Sequence, residues 1–218
     1  MKNGTLYAGR LKRAYSKQRQ TVTKSDIPDL MDPFTCMATA VLAEESTEVE
    51  AKRAVGRILE TMVDWNEVRV SDGIELNRAA GNTMRQGVRR CEKLIAAIQS
   101  VFDNENRLSL DRLKSVGRRD ARQYLENLDG VSEYVVASVL LWGLGGHAIP
   151  VNDRLLNALR EADVVFPTAT RAEVQAFIER HISASDGKRF CIVMRSYSPK
   201  KSQTSRKHAT AKKRAKST

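Results

Sequence analysis

Apolar residues recur along this chain at spacings of three and four, and no segment alternates convincingly with a period of two. Phe34, Met37, Ala38, Val41 and Leu42 form one such series, and Ala51, Ala54, Val55, Ile58, Leu59 and Met62 a second. Cys91, Leu94, Ile95, Ile98 and Phe102 form a third. Each series would lie on one face of an α-helix. The boundaries are marked as well. Asp32-Pro33 reads as a helix start, because Asp accepts from first-turn amides and Pro suits the first helical position. Thr47 with Glu50, and Thr170 with Glu173, have capping-box spacing. Ser109 can cap a short helix through Leu113. Ala121, Tyr124, Leu125 and Leu128 predict a helix that stops at Asp129-Gly130. Ser132 can cap the next, which runs to about Leu144, is apolar on nearly every face and should be central. Gly145-Gly146 ends it. Asn152 or Asp153 caps a helix through Leu155, Leu156 and Leu159. Val174, Phe177, Ile178 and Ile182 follow the second capping box, and a last helix is predicted over 189–197. The expectation is an all-α fold of about ten helices without internal repeats.

Composition narrows the function. The 218 residues suffice for one sizeable core or two lobes sharing an interface. No apolar run approaches the ~20 residues needed to cross a bilayer, and no apolar stretch follows the basic N-terminus as in a secretory signal. The chain therefore reads as intracellular, cytoplasmic or nucleoid-associated, or nuclear in a eukaryote. Cys36, Cys91 and Cys191 are odd in number and widely spaced, which argues against a disulfide framework. The three His are scattered, so no metal is expected. The net charge of +11 resides at the ends: residues 1–31 carry seven Lys/Arg against two acids, and 199–218 carry eight against none. A near-neutral body with two basic arms suits a polyanion. The 199–218 arm has little apolar content and is expected to be disordered. Lys212, Lys213 and Arg214 within it are candidate DNA contacts.

One stretch adds chemistry: "NLDGVSEYVVASVLLWGLGGHAIPVND", Asn127 to Asp153. Gly130 lies between two helices that must reverse within very few residues, and only Gly takes φ > 0 without cost. Such a turn leaves N–H groups unpaired at the start of the following helix, a site suited to a phosphate. An ordinary αα-hairpin would look the same.

The chain resembles the endonuclease III family of helix-hairpin-helix DNA glycosylases. The family's hairpin, of the type L-P-G-V-G, corresponds to Leu128-Asp129-Gly130-Val131-Ser132, and its V-D-T-H segment to Val151-Asn152-Asp153-Arg154. The intervening length agrees without a gap. Upstream, "DPFTCMATAVLAEESTE" resembles the family's first core helix and the turn after it. The resemblance covers roughly residues 28 to 197. It implies two α-helical lobes with duplex DNA in the cleft: a helical barrel over 36–147, and a second lobe from 1–35 with 148–198. It also implies DNA contacts at Leu128, Gly130, Val131, Ser132 and Glu45. Glu45 stands where the family tends to have a Gln that fills the gap left by a flipped base.

The family's chemistry needs a Lys amine, which forms a Schiff base with the opened sugar, and an Asp that stabilises developing positive charge. Those positions are Tyr134 and Asn152 here. Tyr forms no imine, and Asn retains capping ability without the charge. The expectation is a DNA-binding protein of the base-excision-repair type with weak or lost catalysis, which traps little or no Schiff base with abasic DNA beyond slow reaction of lysines in the two arms. Two alternatives remain at this point. One is an active monofunctional glycosylase using Asp153 or Glu45, although each helical step turns a side chain by about 100° and Asp153 would serve only if the helix start slipped. The other is a structural DNA- or RNA-binding protein. Relatives with an iron–sulfur cluster hold it with four Cys after the last helix; only Cys191 lies in that region, so no cofactor is expected. The chain is expected to act as a monomer.

Overall fold

The computed structural model describes residues 4–195 and 197, so the 199–218 arm with Lys212, Lys213 and Arg214 lies outside the described residues. The chain is all-α. Helix α1 spans Gly4–Arg19, α2 Pro33–Ala43, α3 Glu48–Thr61, α4 Trp65–Val70, α5 Gly73–Ala79 and α6 Gly87–Glu105. Helix α7 spans Arg118–Glu126, α8 Glu133–Ser138, α9 Asp153–Glu161, α10 Arg171–His181 and α11 Gly187–Arg195. No strand occurs among the described residues.

The caps form as the sequence signals them. Asp32 accepts from the Thr35 N–H, and both capping boxes close. Ser109 accepts from the Asp111 N–H just before a 3-10 turn, Asp111–Lys114, rather than capping an α-helix. The helix begun by Ser132 does not stay α-helical to its end. It widens over Val139–Gly143 into a π turn, in which the Leu144 N–H reaches the Val139 carbonyl at 3.0 Å. Gly143 permits this, because a Cβ there would lie 3.0 Å from Pro33 Cα. The Trp142 carbonyl instead accepts from the Met31 N–H at 2.9 Å. Such π bulges re-aim side chains and are frequent at functional sites. Here the bulge carries Trp142 to the edge of a cavity.

Helix α2 is buried from Pro33 to Ala43 except at Thr35, and packs against α3, α6, α8 and the π turn. The expected stripe on α3 holds at Ala51, Ala54, Val55 and Ile58, but Leu59 is 41% exposed. The N-terminal segment is more than a basic arm. Tyr7, Leu11 and Tyr15 bury one face of α1, which packs against α10 and α11, with Tyr15 and Phe190 ring centroids 5.4 Å apart. Helices α4 and α5, which no clear apolar period announces, start on Asp64 and Asp72, whose carboxylates each accept two backbone N–H groups. Both pack against α6. The last helix ends at Arg195, two residues before the expected end.

Candidate functional site

The hairpin joins α7 to α8. Gly130 has φ +71°, and a Cβ there would lie 2.3 Å from the Lys93 carbonyl oxygen, so the turn presses against the backbone of α6. Leu128 is buried beneath it, and Val131 is half-buried. The Asp129 N–H donates to Ser100 Oγ at 3.2 Å, and Ser132 accepts from the Val135 N–H at 3.4 Å.

Twenty-two residues on, Asn152 has extended backbone, and its Oδ1 accepts from the Leu155 N–H at 2.9 Å. Asn152, not Asp153, is therefore the cap, and the helix start has not slipped. Asp153 is the first helical residue, is exposed, and pairs with Arg171 at 3.2 Å.

Tyr134 and Asn152 line one cavity of ≈ 420 Å³, framed by the start of α3, α8, the π turn, the start of α9 and the end of α11. This is a size that holds a small organic group. Burial pushes the Tyr134 hydroxyl up to about 12, helped by the nearby Glu48 carboxylate. At neutral pH it is a phenol that can donate a hydrogen bond but cannot serve as a base.

Sequence reasoning missed three charged groups that line the same cavity, Glu48, Lys52 and Arg195, and gave no role to Arg154, which lines it too. Among the described residues Glu48 is the cavity's one lining acid. It pairs with Lys52 at 2.8 Å and with Arg195 on α11. The Arg195 guanidinium lies 5.1 Å from the Trp142 ring centroid, and Trp142 lines the same cavity. The only advance signal was the i,i+4 spacing of Glu48 and Lys52, which usually marks a solvated helix face.

Glu45 and Asp153 line an adjoining cavity of ≈ 420 Å³ that shares Ser46, Thr47, Asn152 and Arg154 with the first. Glu45 is exposed and faces Lys93 at 3.6 Å and Arg89 at 4.0 Å. Its turn is anchored from beneath by the buried Arg90, which donates to Ser46 Oγ at 2.7 Å. Arg171 holds Glu44 at 3.0 Å as well as Asp153, tying the end of α2 to α9 and α10.

Among the described residues, no group of three or more His, Cys, Asp or Glu is placed to hold a metal ion. Cys191 is buried, and burial pushes its thiol up to about 12, which disfavours the thiolate a cluster needs. Purified protein should therefore carry no stoichiometric iron and show no absorption band near roughly 400 nm, the visible region in which iron–sulfur centres absorb. Metal analysis with an absorption spectrum checks this.

The all-α fold is similar to that of DNA glycosylases of known structure. Endonuclease III, solved as a trapped covalent intermediate with DNA, superposes with a TM-score of 0.66 at 14% identity, covering 89% of this chain and 85% of that one. The 3-methyladenine DNA glycosylase of H. pylori, bound to 1,N6-ethenoadenine, gives 0.63 at 12% identity, covering 87% and 94%. A thermostable thymine-DNA glycosylase gives 0.60 at 13% identity, covering 88% and 83%. At these identities the likeness is one of fold. No protein-family model matches the sequence, and no curated protein matches it.

Proposed function

We propose that this chain binds duplex DNA as a helix-hairpin-helix glycosylase-type protein of base-excision repair, with the family's chemistry at Tyr134 and Asn152 weakened or lost. One observation carries the reading: the two positions where the family places its amine and its acid line the same cavity, although 18 residues separate them in the chain. In this reading the barrel lobe comprises 36–147 and the second lobe 1–35 with 148–198. The duplex lies across the cleft as a partner of the monomer, and no cofactor takes part. Leu128, Gly130, Val131 and Ser132 present the hairpin to one phosphate strand, and Glu45 faces the gap left by a displaced base. Lys212, Lys213 and Arg214 add sequence-independent contacts. The setting is intracellular; no helix among the described residues is long and apolar enough to cross a membrane.

Use of Asp153 as a substitute acid is less well supported, because it faces the adjoining cavity and pairs with Arg171. Glu45 lies in that cavity too, between two cations.

Fluorescence anisotropy with intact and abasic duplexes, titrated against salt, tests the proposal. The abasic duplex should bind more tightly. Removing residues 199–218 should flatten the slope of log K against log salt by about 0.9 for each phosphate that the arm neutralises, and weaken all sequences alike. Equal affinity for intact and abasic duplex would point to a structural DNA binder. An unchanged slope would remove the tail from the interface.

A further inference from the structure

The charges that line the cavity are unequal. Lys52, Arg154 and Arg195 stand against a single carboxylate, Glu48, which gives the lining a net of +2. Glu48 is engaged on both sides, by Lys52 Nζ at 2.8 Å and by Arg195. Arg154 has no ion-pair partner among the described residues, and it lines the adjoining cavity as well. The neutral groups are donors too. Asn152 uses its Oδ1 on the Leu155 N–H, which leaves its two amide N–H groups outside the cap. The Tyr134 phenol stays protonated at neutral pH. The Trp142 ring has the Arg195 guanidinium at 5.1 Å and Lys188 Nζ at 5.7 Å from its centroid, so a neutral base stacking there would compete with cations. Cations on one helix face are usually no more than solvated charge. These three come from α3, α9 and α11 and converge on one concave site.

We propose that this cavity binds the terminal phosphate of a broken DNA strand, a 5′- or 3′-phosphomonoester, through Lys52, Arg154 and Arg195. The inference rests on the reading that duplex DNA lies across the cleft. A phosphomonoester carries about −1.5 to −2 charges at neutral pH and offers three strong acceptor oxygens. An internal phosphodiester carries one charge. The terminal group is therefore the better match to a lining of net +2. It is also joined to the strand on one side only, so it can turn into a cavity of ≈ 420 Å³, whereas an internal phosphate stays on the duplex surface. Ammonium and guanidinium donors make bonds to phosphate about twice as strong as neutral ones, and Arg can offer two parallel N–H groups. Glu48 opposes the anion by its own charge, but it lies between Lys52 and Arg195 and holds both cations at the cavity. The Tyr134 hydroxyl and the Asn152 amide add uncharged donors. The ligand is then the product of strand cleavage by another activity, in keeping with a chain whose own cleavage positions hold Tyr134 and Asn152.

The test is fluorescence anisotropy of the full chain, at one salt concentration, with three duplexes that bear a single-nucleotide gap. One has a 5′-phosphate at the gap, one a 3′-phosphate, and one hydroxyls on both sides. At least one phosphate-bearing gap should bind roughly 10- to 10²-fold more tightly than the hydroxyl gap, as one charge-assisted hydrogen bond contributes. Which of the two binds more tightly identifies the end recognised. Arg154→Gln and Lys52→Gln each remove a cation while keeping a polar side chain, and each should lose most of that preference. The ratio is taken within each variant, so a general loss of folded protein cancels, and a merely structural role for either residue would leave the ratio unchanged. Equal affinity for all three gaps would overturn the terminal-phosphate site and leave the DNA-binding proposal standing. So would a preference undiminished in both variants, which would place the phosphate elsewhere, the basic arm included. Failure to bind any of the duplexes would overturn both.

Discussion

The double variant Asn152→Asp and Tyr134→Lys should nick abasic duplex roughly 10² to 10⁴ times faster than the unaltered protein, the range a positioned acid–base group contributes. Asp keeps the helix cap, since a carboxylate accepts from the Leu155 N–H as the amide oxygen now does, and a negative charge suits a helix N-terminus. Lys at 134 would place an amine in the same cavity, within the influence of the Glu48 carboxylate that already acts on Tyr134. The two should act as a unit, each single variant giving less than its share, because the amine depends on proton transfers the carboxylate assists. A gel assay of strand cleavage across the four combinations measures this. A double variant that folds and binds DNA yet does not cleave would show that the cavity's shape, beyond its two exchanged groups, has left the family's chemistry.

Gly130→Val should destabilise the protein by roughly 2–5 kcal/mol. Of this, about 1–2 kcal/mol comes from a left-handed backbone forced on a residue with a Cβ. About 1–3 kcal/mol comes from overpacking against α6, where the Cβ would meet a backbone oxygen at 2.3 Å. A carbonyl within a helix cannot swing aside as a flexible side chain can, so hairpin and α6 must separate. For a chain of this length the melting temperature should fall by roughly 4–20 °C. Where the variant remains folded at low temperature, its affinity for duplex should drop at low and high salt alike, unlike the salt-dependent loss on removing the tail. Thermal melts with binding at two salt concentrations separate these effects. Unaltered melting would mean that the hairpin is not pressed on α6 as described.

The helices legible in the sequence are those whose signals are local. Both capping boxes, the Asp32-Pro33 start and the Asn152 cap depend on groups two to four residues apart, and all four form. The wholly apolar helix after Ser132 is central, because a helix without a polar face has nowhere else to go. Helix α1 escaped notice because only Tyr7, Leu11 and Tyr15 carry its apolar face amid basic and polar residues. Its burial depends on Phe190, 175 residues from Tyr15, and on Phe166 against Tyr7. The π turn was equally hidden, since it depends on Pro33 packing beside Gly143.

The same division runs through the candidate site. The sequence by itself determined an all-α chain, a Gly hairpin, and a Tyr and an Asn at positions where the resemblance leads one to look for an amine and an acid. Only the tertiary structure decided that Tyr134 and Asn152 share a cavity, and that Asp153 and Glu45 line its neighbour. It also put Glu48 and Lys52, an i,i+4 helix-face pair, among the residues that line the cavity. The physical reason is range. Caps and turns are set by hydrogen bonds within one helical turn, whereas a cavity wall is set by which helices pack together. Glu48 gains its second partner only where Arg195, 147 residues later, is brought against it by the docking of α11.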